Sequence, residues 1–224
     1  MGNHDGQCLI NEFWAAYLLF KAKNCLFEFG PENMGYGNYI INITENDKII
    51  HTLYMMDTHS DAEYTLPDGT QDDGYDHLHS DQIEWYRWAV NGTNETAKTN
   101  VESTVIFHIP PYEIDEIYHN SYDVTNDCFI GEYFDSAYGF MHENPGTAPV
   151  NNGFLSIVNE LGSTRNIIFG HDHVNNASVL VDGIRLTYGL KLGYGCYYEE
   201  GMMGGTTISI NSNGNANVQH HYYG

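Results

Sequence analysis

The chain has 224 residues, enough to bury a core without disulfides or oligomerisation. Eight Lys and Arg against 30 Asp and Glu give a net charge of −22, which argues against electrostatic binding of nucleic acid or an anionic membrane surface. Hydrophobic residues at 42% and aromatics at 14% exclude a disordered acidic tail, so the acidity belongs to the surface of a folded body. No run approaches the roughly 18 to 20 apolar residues of a membrane span, and the opening Met1 to Asp5 carries no basic-then-apolar signal pattern. Cys8, Cys25, Cys128 and Cys196 are scattered with no CxxC pair, so buried free thiols are expected.

In chain order, apolar residues at three- and four-residue spacing predict a helix over Gln7 to Ala22. Tyr39 to Ile43 and Lys48 to Met56 read as two strands joined by a turn at Glu45-Asn46-Asp47. Asp57 to Asp81 is polar and acid-rich and reads as a long loop. Ser80 is the expected N-cap of a helix reaching about Ala97. Val101 to His108 is a short buried strand ended by Pro110-Pro111. Tyr112 to Pro149 reads as a short helix and a surface insertion, and Asn151 to Leu161 as a helix closed by Gly162. Asn166 to Phe169 is a strand running into Gly170-His171-Asp172-His173. Period-two stretches at Ala177 to Val181, Ile184 to Tyr188 and Thr206 to Ile210 complete a β-rich tail, with Asp182-Gly183 as a turn. Strands alternating with helices, with no repeat and no linker, predict one α/β domain over residues 1–224.

Twelve histidines are many for this length. His51 lies in a strand pattern, while His119, His142, His220 and His221 sit in polar stretches, where a solvated imidazole is the default. His59, His77 and His79 share the acidic loop with Asp57, Asp61, Asp72, Asp73, Asp76 and Asp81, but no ligand spacing recurs, and an acidic surface loop is the simpler reading. The other four are better placed. Asn3-His4-Asp5 precedes a helix, His108 ends a strand, and His171 and His173 flank an aspartate at another strand end. In an open α/β sheet, ligands gather at the carboxyl ends of strands, so these segments are expected at one rim. Neutral imidazoles and an amide oxygen there suit a divalent transition metal.

Gly2-Asn3-His4-Asp5, His108-Ile109-Pro110 and Gly170-His171-Asp172-His173, in that order, resemble the calcineurin-like metallophosphoesterases. Asp73-Gly74-Tyr75-Asp76 leading into Gln82 to Tyr86, together with Tyr188-Gly189-Leu190 and Gly204-Gly205-Thr206, is similar to the branch containing purple acid phosphatases. The resemblance implies a four-layer α/β/β/α sandwich. It also implies a phosphoester hydrolase, phosphatase or phosphodiesterase, using metal-activated water in an in-line attack at phosphorus. Its cofactors would be two divalent or trivalent transition-metal ions, Fe, Mn or Zn. Asn3, His108 and His171 would ligate one ion and His173 the other, with His4 beside the substrate phosphate and Asp5 orienting His4. A small phosphate ester is the implied substrate.

The family pattern has two earlier motifs, Asp-x-His and Gly-Asp, on the first two core strands. This sequence begins at the third, so the expectation is a domain incomplete at its N-terminus and, as this stretch alone, inactive. A fragment, a split protein completed by a partner chain that supplies the missing strands, and a non-catalytic binding module with one weak metal site or none all remain open. Asn42-Ile43-Thr44, Asn91-Gly92-Thr93, Asn94-Glu95-Thr96 and Asn176-Ala177-Ser178 match the N-glycosylation acceptor pattern, which an Asn- and Thr-rich chain also produces by chance.

Overall fold

The structure, a computed structural model, describes residues 1–7, 9–66 and 68–223. After a single 3-10 turn at Asp5–Gln7 comes helix α1 (Glu12–Lys21), followed by strands β1 (Tyr39–Glu45), β2 (Lys48–Met55), β3 (Asp61–Thr65) and β4 (Gln71–Tyr75). Helix α2 (Ser80–Ala97), β5 (Ser103–Ile106), α3 (Glu113–Ser121) and the two-residue strands β6 (Tyr122–Asp123) and β7 (Cys128–Phe129) follow. The second half adds α4 (Phe154–Leu161), β8 (Thr164–Phe169), β9 (Ser178–Val181), β10 (Ile184–Tyr188), β11 (Gly204–Ile210) and β12 (Ala216–Tyr222).

Six strands form a mixed sheet in the order β1-β2-β5-β8-β10-β9. The central pairs β2–β5, β5–β8 and β8–β10 are parallel, and antiparallel β1 and β9 close the edges. This is the expected mixed α/β sandwich architecture, and its parallel centre delivers the residues after β5 and β8 to the same rim.

Register separates the two faces of the sheet. Tyr54, Val105, Ile167 and Leu186 stand in one row across β2, β5, β8 and β10, all at most 1% exposed. Helix α2 covers this face: Tyr86 packs edge-on against Tyr54, and its hydroxyl pairs with Thr164 Oγ1 at 2.7 Å, which pairs in turn with Ser103 Oγ. Burying each of these large side chains contributes on the order of 1.5–3 kcal/mol, so this face holds the core. The opposite face carries the neighbouring row, Met55, Ile106 and Ile168. With Leu19, Phe27 and Tyr39 this row lines a largely apolar cavity of about 460 Å³ under α1. The β11–β12 hairpin reaches this same face. His51 Nδ1 donates to the carbonyl of Gly214 at 2.7 Å, His51 Nε2 pairs with Thr104 Oγ1, and His220 Nε2 donates to the carbonyl of Tyr188.

Several sequence expectations are corrected. The first helix starts at Glu12, not Gln7, because Asn11 caps it by accepting from Trp14 N and residues 5–7 form the separate turn. Only Ala16 of this helix is buried. The acidic loop contains the β3–β4 hairpin, fastened by Tyr64 Oη donating to the carbonyl of Tyr75. The cap of α2 is His79, whose N–H donates to Gln82 Oε1 at 2.7 Å. His142 is clamped by Asp127 at 2.9 Å and Glu199 at 2.8 Å rather than simply solvated. Cys25 and Cys196 are exposed free thiols and Cys128 is half-buried, so the expected burial is not found; Cys8 lies outside the described residues. Among the described residues, no helix is long and apolar enough to cross a membrane.

Candidate metal centre

Three segments meet at the rim. The first is the N-terminal turn, closed by Asp5 N donating to Gly2 O at 3.0 Å and Gly2 N donating to Asp5 Oδ2 at 2.7 Å. It buries Asn3, whose carbonyl accepts from the Ser60 hydroxyl. The second is the exit of β5, where His108 is held by backbone pairing of Gly170 N to His108 O at 3.0 Å. The third is the exit of β8, where His171 takes a left-handed backbone conformation, φ +75°. A non-glycine residue holds that conformation only where its surroundings impose it.

His108 Nε2 lies 2.9 Å from Asn3 Oδ1 and 3.4 Å from His171 Nδ1. Burial, then the neighbouring His171, pushes His108 down to about 3. Burial, then His173 and His4, pushes His171 down to about 4. Both rings are therefore neutral near pH 7, with nitrogen lone pairs to offer. For metal–ligand bonds of about 2.0–2.2 Å, adjacent ligand atoms stand about 2.8–3.6 Å apart. The two observed separations fall in that range, so this donor set fits one ion.

Around this cluster opens a cleft of about 550 Å³ lined by Asn3, His4, Asp5, His108, His171 and His173, all six of the residues singled out from the sequence. Their partners differ from expectation in two places. His4 Nδ1 lies 2.7 Å from Gln7 Oε1, while the Asp5 carboxylate, expected to orient His4, accepts from Gly2 N. The His173 ring is held by Tyr197: its Nδ1 donates to the carbonyl of Tyr197 at 3.0 Å and its ring stacks on Tyr197 with centroids 4.4 Å apart.

Four more residues shape the cleft, and two of them, Glu143 and Gly146, belong to no motif. Glu143 accepts from His173 N, Val174 N and Tyr197 Oη, tying the His173 loop to the tail. Tyr75 stands edge-on to His171 at 4.3 Å. Gly146 lies so close that a Cβ there would sit 2.4 Å from the His171 ring. Its N–H donates to Asp172, a carboxyl that burial raises to about 6 against bonds from Tyr188, Gly146 and Asn175. Glu143 and Gly146 fall in a stretch without periodicity, and no sequence signal marks them.

No family model matches the chain, and no solved structure matches it significantly. Among curated proteins it is similar to three from Arabidopsis thaliana. Probable inactive purple acid phosphatase 29 is 26% identical over 221 residues, covering 90% of this chain and 51% of the relative. Probable inactive purple acid phosphatase 14 is 28% identical over 225 residues, covering 90% and 50%. Probable inactive purple acid phosphatase 28 is 22% identical over 216 residues, covering 88% and 49%. The chain thus spans about half the length of the curated relatives it matches. With the three motifs gathered in one cleft on a mixed α/β sheet, the chain is similar to the purple acid phosphatase-like branch of the metallophosphoesterases over most of its length.

Proposed function

We propose that the cleft is a metal-dependent phosphate-ester site in which Asn3, His108 and His171 hold one divalent transition-metal ion. The observation that carries this reading is the approach of His108 Nε2 to both Asn3 Oδ1 and His171 Nδ1 at the separations of neighbouring ligands in one coordination shell. When bound, such an ion supplies Lewis acidity toward a phosphoryl oxygen and lowers the pKa of water. Neither Arg87, paired with Glu160, nor Arg185, which donates to the carbonyl of Ser136, is offered to a phosphate. His4, on the turn that lines the cleft, is the residue assigned to the phosphate, as hydrogen-bond or proton donor. Asn3 and His108 orient each other, and the Gly146–Asp172 contact fixes the loop that carries His171.

The residues fit a second ion less well. His173 offers Nε2 as its single donor atom, its Nδ1–H being held by the Tyr197 carbonyl, and both oxygens of Glu143 already accept bonds. The cleft therefore binds phosphate esters and turns them over slowly or not at all, in keeping with relatives named as probable inactive purple acid phosphatases. A second reading, a hydrolase with a second ion at His173, is favoured by His173 and Glu143 lining the same cleft.

Calorimetric titration of the 224-residue chain with inorganic phosphate, with and without Mn²⁺, tests both readings alongside p-nitrophenyl phosphate hydrolysis. Phosphate binding that requires Mn²⁺, with hydrolysis at background, supports the first. Turnover abolished by His173→Ala supports the second. Absence of phosphate binding with Mn²⁺ present contradicts both.

A further inference from the structure

A second group of metal-type ligands lies outside this cleft, on Asp76-His77-Leu78-His79 between β4 and α2. The sequence gives it no recognisable spacing, but the fold brings the side chains together. Asp76 is 5% exposed, and His79 Nε2 stands 2.9 and 3.0 Å from its two carboxylate oxygens. His77 Nδ1 is 3.5 Å from Asp76 Oδ1. One ligand atom from each residue lies within 4.8 Å of the others. The backbone is fixed at both ends: Asp76 N donates to the carbonyl of Ser60, and His79 N donates to Gln82. In the middle, Leu78 is buried and its carbonyl accepts from Asn152.

A carboxylate–imidazole pair between Asp76 and His79 would explain those two residues without any ion. It does not explain His77. Among the described residues, His77 Nδ1 is the buried side-chain nitrogen or oxygen with no hydrogen-bond partner, and it faces Asp76. Burying a polar atom without a partner is unfavourable, and natural folds leave few such atoms. A cation between the three groups would satisfy His77 Nδ1, His79 Nε2 and a carboxylate oxygen at once. The Asp76–His separations of 2.9 to 3.5 Å are again those of neighbouring ligands in one shell.

We propose that Asp76, His77 and His79 form a second cation site that takes a divalent transition-metal ion of the Zn²⁺ or Co²⁺ type. Two imidazoles and one carboxylate favour such ions over Ca²⁺ or Mg²⁺, which prefer all-oxygen shells. The site is independent of the Asn3–His108–His171 cluster, since the groove beside His77 and His79 shares no lining residue with the phosphate cleft. Its role is to pin the β4–α2 junction. Tyr75, the residue before Asp76, packs against His171, so an ion here stiffens one wall of the cleft without touching substrate.

The test is a Co²⁺ titration, read by visible d–d absorption and calorimetry, on the chain carrying His108→Ala and His171→Ala. The site predicts about one equivalent of Co²⁺ still bound, lost when His77→Ala and His79→Gln are added. No saturable Co²⁺ binding in the first variant, or binding unchanged in the second, overturns it. If the combined variants do not fold, His79→Gln alone decides, because His79 is exposed and its backbone cap is retained. Relative to the unsubstituted chain, it should lower bound Co²⁺ by about one equivalent, and an unchanged count overturns the site. Failure of the Asn3–His108–His171 cluster would appear separately, as no loss of Co²⁺ on substituting His108 and His171.

Discussion

His108 and Asn3 lie 105 positions apart in the chain, yet Nε2 of His108 stands 2.9 Å from Oδ1 of Asn3. A parallel sheet centre places His108 and His171 at one rim, and the N-terminal turn lays Asn3 across them. The histidines therefore face an amide oxygen rather than a carboxylate, and the cluster carries no charge of its own near neutral pH.

In the proposed site His4 serves the phosphate and not the ion. His4→Ala should leave Mn²⁺ content unchanged while weakening phosphate binding about tenfold or more, the loss expected of one hydrogen bond to a charged group. Dialysis with metal analysis and phosphate calorimetry check this pair of outcomes. Equal loss of metal and phosphate would remove the distinction between the two roles.

Gly146 is required by close approach. An added methyl would meet His171 Cδ2 and Nε2 at 2.4 Å and Asp172 Oδ1 at 3.0 Å. His171 already holds a left-handed backbone conformation, so the ring cannot easily retreat. Gly146→Ala should weaken Mn²⁺ binding at the His108–His171 cluster about tenfold. Unchanged affinity by calorimetry would mean that the loop yields freely.

His51 predicts an acid-side loss of stability. Burial lowers its pKa, opposed in part by the Gly214 carbonyl and Glu102. Above about pH 6.5 the ring is neutral in both folded and unfolded chains, and its contribution is fully present. As pH falls below that value the unfolded chain takes up the proton first, so stability is lost progressively toward the folded pKa. Urea unfolding at pH 7.5 and 5.5 should show this decline, and His51→Gln should reduce its slope. A slope unaffected by the substitution would assign the decline to other histidines.

The apolar surface of α1 and its flanks predicts association. Leu18 is 60% exposed and Leu26 68%, with Leu9, Phe13 and Trp14 beside them in sequence and also exposed. Contiguous exposed apolar residues favour contact with another surface. The 224-residue chain should elute in size-exclusion chromatography at a concentration-dependent position, and Trp14→Glu with Leu18→Glu should shift it toward monomer. A monomeric peak across concentrations would contradict this.

The mixed α/β class and the meeting of the three segments at one rim were both legible in the sequence. The approach of Asn3, His108 and His171 was legible because His108 and His171 follow strands that a parallel sheet centre delivers to one edge. The β1–β2 pair was legible too, since Asn46 and Asp47 take positive φ and turn the chain as their side chains favour. The β3–β4 hairpin was not, because Gln71-Asp72-Asp73-Gly74 has poor strand propensity and pairing with Asp61–Thr65 overrides it. The contact of His173 with Tyr197 was equally hidden, as it depends on a tail residue 24 positions later. Asp76, His77 and His79 looked like an acidic surface loop because nothing in their spacing reveals which nitrogen is buried.

The most direct test is the count of Mn²⁺ ions retained after equilibrium dialysis, comparing the unsubstituted chain with the variant carrying His108→Ala and His171→Ala. The account predicts a difference of about one equivalent, with phosphate binding lost in the same variant. Equal Mn²⁺ content in the two proteins would contradict a metal centre at Asn3, His108 and His171.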